Sequence, residues 1–242
     1  MDKNFRELMI KESDRENLTL TDEQISQFFQ YYEMMIEKNK VMNLTAITEM
    51  EDVIVKHFID SLSLVRAIGD MGEKPYKVID VGTGAGFPGI PLKIAFPELE
   101  ITLLDSLNKR VKFLDEVIGE LKLEKICAIH GRAEDCGRDE TYREKYDLCV
   151  SRAVANLSTL SEYCMPFVRK GGYFIPYKSG KLEEEMKTGQ GAVKKLGGAI
   201  EDIVTFQLPN SDERSLVKIR KISETSKKYP RKAGMPGKEP LK

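Results

Sequence analysis

Residues 77–89, KVIDVGTGAGFPG, restrict the possible folds more than any other part of the chain. Apolar residues around Asp80 lead into glycine at alternate positions, Gly82 to Gly86, and this pattern predicts a buried strand, a tight turn and the start of a helix. Glycine accepts positive φ angles and, because it has no Cβ, lets backbone N–H groups approach a bound molecule. The stretch therefore predicts a ligand-binding turn.

Short apolar runs alternate with helical patterns beyond this turn. Such alternation is typical of an α/β fold in which a mostly parallel sheet carries helices on both faces. The last two runs flank the turn sequence Pro-Asn-Ser-Asp and predict an antiparallel hairpin. The predicted strands are 78–81, 100–104, 126–129, 147–150 and 173–177, and the hairpin strands are 199–208 and 215–222.

Two capping boxes predict amphipathic helices ahead of the sheet, one opening at Thr21 and the other at Thr48. On the second helix, His57, Asp60 and Ser61 share a face, which is either solvated or turned towards a cleft. The expected organisation is a helical extension at 1–70, an α/β domain at 71–222 and a basic, irregular tail at 223–242.

The charge and cysteine content restrict the partners of the chain. Its 242 residues carry a formal net charge of −1, so any affinity for nucleic acid must come from a local patch. The four cysteines form no Cys-x-x-Cys pair, which predicts neither a zinc site nor a disulfide framework. We find no apolar leader and no run of the ~18 apolar residues that a membrane span needs. We expect a cytoplasmic protein with no metal and no membrane partner, and a monomer by default.

Ligands of open α/β sheets bind at the carboxyl ends of the strands, so the residues that follow the predicted strands are candidates for a site. Asp105 lies roughly 20 residues beyond the glycine turn, where a carboxylate can accept both ribose hydroxyls of a nucleoside cofactor. Such a cofactor is either a dinucleotide or S-adenosylmethionine. Glu134, Arg152 and Lys178 follow later strands and are expected at the same edge of the sheet.

The glycine motif bears on the choice between a dinucleotide and S-adenosylmethionine. From Asp80 to Gly86 the chain reads D-x-G-x-G-x-G, the spelling of class I methyltransferases, and the Asp80 carboxylate would repel a pyrophosphate but favour a sulfonium. In a shifted frame, Gly84 to Gly89 reads G-x-G-x-x-G, the spelling of dinucleotide-binding turns. The glycines alone therefore leave a nicotinamide cofactor as the alternative.

Motifs from residue 43 to the end of the chain resemble those of the bacterial small-subunit ribosomal RNA guanine-N7 methyltransferases, the glucose-inhibited division protein B family. Together these motifs are far more specific than the glycine turn, and only the segment before residue 43 carries no signature. They are NLT at 43–45, HFIDSL at 57–62, DVGTGAGFPG at 80–89, DSLNKR at 105–110, GRAE at 131–134, SRAVA at 151–155, PYKSG at 176–180 and YPRKAG at 229–234.

The resemblance implies a class I methyltransferase with a Rossmann-like, mostly parallel seven-stranded sheet and with S-adenosylmethionine as its cofactor. It also implies that the methyl acceptor is N7 of a guanine in 16S ribosomal RNA, either bare or within the small ribosomal subunit. The residues expected at the cofactor are Asp80, Gly82, Gly84, Gly86, Phe87, Asp105, Ser106, Leu107, Ala133, Glu134 and Arg152.

Guanine N7 carries a lone pair in the neutral base, so its attack on a sulfonium methyl group requires no general base. The residues expected to position the substrate are Arg152, His57 and Asp60, and carboxylates such as Asp60 and Glu134 would stabilise the cationic product. Contacts with RNA are expected from four cations and one stackable ring. These residues are Lys178, Lys181, Tyr229, Arg231 and Lys232.

Two further functions are alternatives at this point. The shifted glycine frame allows a nicotinamide-dependent oxidoreductase, and the basic tail allows a non-enzymatic RNA-binding protein with a relic pocket. Other methyl transfers are disfavoured: the chain has Ser151-Arg152-Ala153-Val154 where amino-group methylation of adenine shows N/D-P-P-Y/F, and it places no cysteine nucleophile in a strand-end loop.

Overall fold

The fold is built on one sheet, in a computed structural model that describes residues 2–152, 155–179 and 182–242. The strands pair in the order β3-β2-β1-β4-β5-β7-β6, and all are parallel except β7. They are β1 (Lys77–Val81), β2 (Glu100–Asp105), β3 (Ile126–His130), β4 (Tyr146–Arg152), β5 (Val168–Lys178), β6 (Gly198–Gln207) and β7 (Glu213–Lys221).

This arrangement confirms the predicted α/β class, the parallel sheet and the C-terminal hairpin. The switch point of the strand order lies between β1 and β4, which are neighbours in the sheet although β2 and β3 separate them in the chain. Strand β5 begins five residues earlier than predicted. Its register against β4 shifts between Tyr146 and Leu148. Residues 169–172 are not apolar, so a search for apolar runs does not detect this first part of the strand.

Helices cover both faces of the sheet. A π-helical turn, Ile54–Ile59, joins α3 to α4, and 3₁₀ turns follow at Ser63–Arg66 and Met165–Phe167. Nowhere in the described part of the chain is a helix long and apolar enough to cross a membrane. The helices are α1 (Lys3–Asp14), α2 (Asp22–Met42), α3 (Met50–Val53), α4 (Asp60–Leu62), α5 (Gly89–Ala95), α6 (Asn108–Glu120), α7 (Ala133–Cys136), α8 (Leu157–Cys164), α9 (Leu182–Lys195) and α10 (Met235–Lys238).

The N-terminal helices share one core with the sheet. The capping box at Thr21 forms as predicted, whereas the helix at residues 50–66 begins after Glu49 without a side-chain cap, so the box expected at Thr48 does not form. Phe28 on α2 and Phe58 in the π-helical turn are fully buried, with ring centroids 5.0 Å apart. The helical extension therefore packs against the sheet rather than standing apart from it.

The C-terminal segment, residues 223–242, packs on the opposite face beside α8. Tyr229 is 8% exposed and belongs to the core formed with β4, β5 and β7. Arg231 makes a bidentate ion pair with the fully buried carboxylate of Glu162 on α8, with Nε–Oε1 at 2.9 Å and NH2–Oε2 at 2.7 Å. Apolar burial thus holds Tyr229, and ion pairing holds Arg231, against the rest of the protein, and the contact of these two residues with RNA stays a prediction. Lys232 is exposed, and its contact with RNA stays a prediction.

We expect Arg231→Met to lower the free energy of unfolding by about 3 kcal/mol, because it leaves the Glu162 carboxylate buried without its cation. The matched control is Lys232→Met, which removes the same charge from an exposed neighbour and should change stability by less than about 0.5 kcal/mol. Urea unfolding of both variants measures the difference. Equal effects of the two substitutions would contradict a packed C-terminal segment.

Candidate active site

The turn after β1 requires glycine at specific positions. Gly82, Gly84 and Gly86 have φ angles of 72°, 64° and 109°, a region that residues with side chains rarely adopt. A Cβ on Gly86 would lie 2.8 Å from the hydroxyl oxygen of Tyr31, so helix α2 packs directly against the turn. A Cβ on Gly84 would meet nothing within 4 Å, which leaves space for a ligand beside the turn.

The fully buried carboxylate of Asp80 supports this turn from within the protein. Its Oδ2 accepts hydrogen bonds from the Thr83 hydroxyl at 2.6 Å and from the Gly89 N–H at 2.9 Å. Its Oδ1 has no hydrogen-bond partner among the described residues. Burial raises the pKa of Asp80 to about 6, although the two hydrogen bonds and the nearby Arg152 favour the ionised form. Asp80 therefore positions the turn, and its unpartnered Oδ1 is the atom that could meet a cation.

Asp105, the last residue of β2, supports the turn from the neighbouring strand. Its Oδ2 accepts from the Gly84 N–H and its Oδ1 from the Leu107 N–H, both at 2.9 Å. Arg110 lies 3.4 Å from the same carboxylate. Since an ionised carboxylate offers about four lone-pair sites, Asp105 can accept further hydrogen bonds from the hydroxyl groups of a ligand.

A cavity of about 220 Å³ lies at the carboxyl ends of β1, β2 and β3. The Glu134 carboxylate on its wall accepts a hydrogen bond of 2.7 Å from the Gly234 N–H, so the C-terminal segment closes one side of this cavity. We call this space the cofactor cavity. Residues lining it include Gly82, Ser106, Ala133, Glu134, Tyr163 and Gly234.

Arg152 connects the end of β4 to the helix at residues 50–66. Its NH1 donates to the carbonyl oxygens of Lys56 and His57 at 3.2 and 3.3 Å and to Asp60 Oδ2 at 3.0 Å. Its guanidinium carbon lies 4.8 Å from the centroid of the Phe87 ring, a distance typical of a cation–π interaction. π-helical turns often occur at functional sites, and here the turn supplies both backbone acceptors for the arginine.

His57 is held neutral between Arg152 and Phe87. Arg152 NH2 lies 3.2 Å from Nδ1, and because a guanidinium only donates, Nδ1 must be the unprotonated nitrogen. Nε2 then donates to Thr45 Oγ1 at 2.9 Å. Burial, reinforced by the charge of Arg152, lowers the pKa of His57 to about 3. His57 therefore orients its neighbours and is no proton acceptor near pH 7.

Asp60 lies between two arginines. Arg152 hydrogen-bonds its Oδ2, and Arg214 Nε lies 3.3 Å from its Oδ1 as an ion pair without a hydrogen bond. Burial raises the pKa of Asp60, while the two guanidinium groups oppose that shift. Arg214 comes from the start of β7, so this carboxylate joins the N-terminal helices to the C-terminal hairpin.

A second cavity, of about 490 Å³, opens beside Arg152. Four cations and two carboxylates contribute to its lining, so it is positively charged although the whole chain is not. We call it the cationic cleft. The charged residues that line it are Lys56, Asp60, Arg152, Lys178, Glu185 and Arg214.

The predicted site residues divide between these features. Phe87 packs on His57, with ring centroids 4.5 Å apart, and is absent from the lining of the cofactor cavity. Lys181 lies outside the described residues, and Tyr229 and Arg231 are engaged in the protein interior. The predicted residues that line the cofactor cavity are Gly82, Ser106, Ala133 and Glu134, and those that line the cationic cleft are His57, Asp60, Arg152 and Lys178.

Four residues of the site, Thr45, Tyr163, Arg214 and Gly234, were not predicted from the sequence. Thr45 and Gly234 lie in motifs that carry the family resemblance, so a signal existed for both. Tyr163 and Arg214 carried none, because each reaches its site only through the packing of a distant element. Within the described residues, no group of three His, Cys, Asp or Glu side chains could hold a metal ion.

Two of the three glycines in the shifted frame, Gly86 and Gly89, face packed side chains of the protein. A Cβ on Gly86 would lie within 3 Å of Ile90 and of the Tyr31 hydroxyl, and a Cβ on Gly89 would meet Leu103 and the Asp80 carboxylate. These two glycines therefore permit packing inside the protein. Packing thus accounts for the last two glycines of the dinucleotide pattern, whereas Gly84 belongs to both motifs.

Comparisons with known proteins agree with this geometry. A model of the family GidB, described as rRNA small subunit methyltransferase G, matches residues 24–217. The protein named ribosomal RNA small subunit methyltransferase G from Lachnoclostridium phytofermentans is 55% identical over 93% of this chain and 92% of its own length. The protein of the same name from Acetivibrio thermocellus is 53% identical over 98% of this chain and 97% of its own length.

Solved structures share the fold at low sequence identity. TYW2 from M. jannaschii, solved in complex with AdoMet, superposes with a TM-score of 0.51 and 15% identity over 67% of this chain and 77% of its own. A 16S rRNA (adenine(1408)-N(1))-methyltransferase variant from Catenulisporales acidiphilia gives a TM-score of 0.52 and 11% identity over 69% of this chain and 92% of its own. At these identities the likeness concerns the fold alone.

The low pKa of His57 makes the fold sensitive to acid. Because the folded-state pKa is about 3 and the unfolded value 6.5, the unfolded state binds more protons between these values, and stability falls as the pH drops through that window. At pH 4.5 the loss from this group is about 3 kcal/mol. We expect His57→Gln, whose amide can still accept from Arg152, to remove that part of the acid sensitivity.

The measurement is denaturant unfolding of the protein and the variant at pH 7 and pH 4.5. The matched control is His130→Gln, because His130 is the only other histidine and is exposed. An acid-induced loss of stability that is the same in His57→Gln and in the unchanged protein would contradict a buried neutral imidazole.

Proposed function

The chain belongs to the GidB family, rRNA small subunit methyltransferase G, and from this premise we propose that it transfers the methyl group of S-adenosylmethionine to N7 of a guanine in 16S ribosomal RNA. The observation that carries the proposal is the adjacency of two cavities at the switch point of the sheet. Asp80 on β1 pairs in register with Val150 on β4, so Gly82, the residue after β1, lies at the same edge of the sheet as Arg152, the last residue of β4. Gly82 lines the cofactor cavity and Arg152 lines the cationic cleft.

The residues around the glycine turn fit a nucleoside that carries a positive charge. The Asp105 carboxylate can accept ribose hydroxyls, and Glu134 and Ala133, which the family resemblance assigns to the adenine, line the cofactor cavity. The buried Oδ1 of Asp80 lacks a partner within the described part of the chain, and a nearby sulfonium or ammonium would compensate its charge. When bound, S-adenosylmethionine supplies an electrophilic methyl group, and the turn at Gly82 would direct it towards the cleft.

The cationic cleft fits the acceptor. Its size lies within the range of about 300–1,000 Å³ for small-ligand pockets, and an excess of positive charge suits a nucleotide of an RNA strand. Arg152 hydrogen-bonds both residues, so it acts as a positioning residue that holds His57 and Asp60 at the wall of the cleft. Orientation of this kind can contribute on the order of 7–11 kcal/mol to lowering a barrier.

The protonation states support an acceptor that needs no deprotonation. His57 already spends its Nδ1 lone pair on Arg152, and its low pKa of about 3 keeps it from accepting a proton. Burial raises the pKa of Tyr177, which donates its hydroxyl to the Ser61 carbonyl oxygen at 2.7 Å. Guanine N7 attacks with its own lone pair. The Asp60 carboxylate, 4% exposed, would stabilise the positive charge that develops on the purine.

Incubation with methyl-labelled S-adenosylmethionine and either 16S ribosomal RNA or small ribosomal subunits tests the proposed reaction. We expect the label to be incorporated into a single guanine. Strand cleavage by chemistry specific for N7-methylguanine then locates that guanine in the RNA. The same incubation with large-subunit RNA is the matched control. Label in a pyrimidine or in an exocyclic amino group would refute the proposal. So would the absence of label from both 16S ribosomal RNA and small ribosomal subunits.

The raised pKa of Asp80 predicts how cofactor binding depends on pH. A bound cation favours the ionised carboxylate, so affinity for S-adenosylmethionine should fall as the pH drops below about 6. We expect Asp80→Asn to bind more weakly at pH 7.5 and to lose this decline between pH 6.5 and 5. Calorimetric titration at several pH values measures both effects. A decline that persists unchanged in Asp80→Asn would show that another group titrates.

A further inference from the structure

The cations of the cleft differ in how firmly the protein holds them. Lys56 pairs with Asp52 at 2.8 Å, and Lys178 pairs with Glu185 at 2.6 Å. Arg152 donates to two backbone carbonyls, a carboxylate and an imidazole nitrogen. Each of these cations has short contacts or many acceptors within the protein.

Arg214 is held most loosely of the four. Its ion-pair contacts are 3.3 Å to Asp60 Oδ1 and 3.5 Å to Asp212 Oδ2, longer than the 2.7–2.9 Å of a charge-assisted hydrogen bond. Its third contact is a 3.0 Å hydrogen bond from NH1 to the carbonyl oxygen of Glu213. A guanidinium carries five N–H donors, so Arg214 keeps donor capacity for a ligand in the cleft.

The chemistry of Arg214 suits a phosphate group. The planar guanidinium can bind two oxygens of a phosphate at once. The Asp60 carboxylate already lies beside the guanidinium within the protein, so an anion from the ligand would approach from the cleft. Lys178 lines the same cleft from the end of β5, where its Nζ donates to the Ala155 carbonyl oxygen at 2.7 Å. Arg214 and Lys178 stand on neighbouring strands, since Lys178 pairs in register with Ser215. Both residues line the cleft, but Lys178 is already paired with Glu185, so the guanidinium of Arg214 is the group that can meet a phosphate.

We propose that Arg214 forms a subsite for a phosphodiester group of the RNA strand, next to the nucleotide whose base enters the cleft beside Arg152. This inference rests on the proposed function, because it takes the acceptor to be a nucleotide of RNA. The subsite adds affinity through the backbone of the strand and leaves the choice of base to the rest of the cleft.

Binding of a single-stranded RNA dodecamer with one guanine tests the subsite. We expect Arg214→Gln to weaken binding about tenfold near 0.15 M salt and to reduce the slope of log affinity against log salt by about 0.7, the value for one lost phosphate contact on a single strand. Arg214→Lys keeps the charge but loses the forked geometry of the guanidinium, so its affinity should lie between those of the unchanged protein and Arg214→Gln. The matched control is Arg220→Gln, the same change on the same strand, at a 54% exposed side chain paired with Glu201.

Competition identifies the phosphate directly. Guanosine 5′-monophosphate and guanosine 3′-monophosphate are compared with guanosine as competitors of the dodecamer, and at least one phosphate should improve competition about tenfold in the unchanged protein. That advantage should disappear in Arg214→Gln and persist in Arg220→Gln. No advantage for either phosphate, or equal losses in both variants, would overturn the subsite.

Two controls separate this inference from the proposed function and from misfolding. Calorimetric binding of S-adenosylhomocysteine should be the same in all three variants, which shows that the fold and the cofactor cavity are intact. If the unchanged protein binds the dodecamer with the expected dependence on Arg214 but methylates no guanine, the proposed reaction fails and the phosphate subsite stands. If it methylates guanine and Arg214→Gln binds RNA normally, the reaction stands and the subsite is wrong.

Discussion

Arg152 carries a permanent charge at the end of β4, where its side chain is 12% exposed, and this charge must be compensated within the protein. The compensation comes from the helix at residues 50–66, through two carbonyl oxygens of its π-helical turn, the His57 ring and the Asp60 carboxylate. The N-terminal helices are therefore bound to the sheet at its switch point. Because Phe87 lies under the same guanidinium, the glycine turn is tied to this contact as well.

The two cavities that flank this contact differ in charge. The cofactor cavity has Glu134 on its wall and Asp105 and the buried Asp80 beside it, whereas the cationic cleft carries an excess of positive charge. This separation suits a reaction between a cationic methyl donor and a polyanionic acceptor. Each partner meets its opposite charge, and the two sites adjoin where β1 and β4 end.

The C-terminal segment completes the cofactor cavity from outside the sheet. Gly234 donates to Glu134, and Arg231 fastens the segment to α8 through Glu162. Further along, Thr159 on α8 donates to the Pro236 carbonyl oxygen at 3.1 Å. A stretch that is irregular and basic in sequence thus serves as a wall, with Arg231 paired to a buried carboxylate and its lysines exposed.

The sequence by itself determined the class of fold, the glycine turn and the position of Asp105, Glu134 and Arg152 at or just after strand ends. These features depend on local periodicity and on turns that only glycine can form, and both can be read over a few neighbouring residues. The shared face of His57 and Asp60 followed in the same way, from helical spacing.

Only the tertiary structure decided which partner each of these residues has. Arg152 and Asp60 are 92 residues apart in the chain, and Arg231 and Glu162 are 69 apart, so no local pattern indicates either pair. Arg214 and Tyr163 reach their cavities through the packing of β7 and α8, which no motif signals. Burial likewise shifts the pKa of His57 to about 3 and that of Asp80 to about 6, because desolvation depends on everything packed around a group and not on its neighbours in sequence.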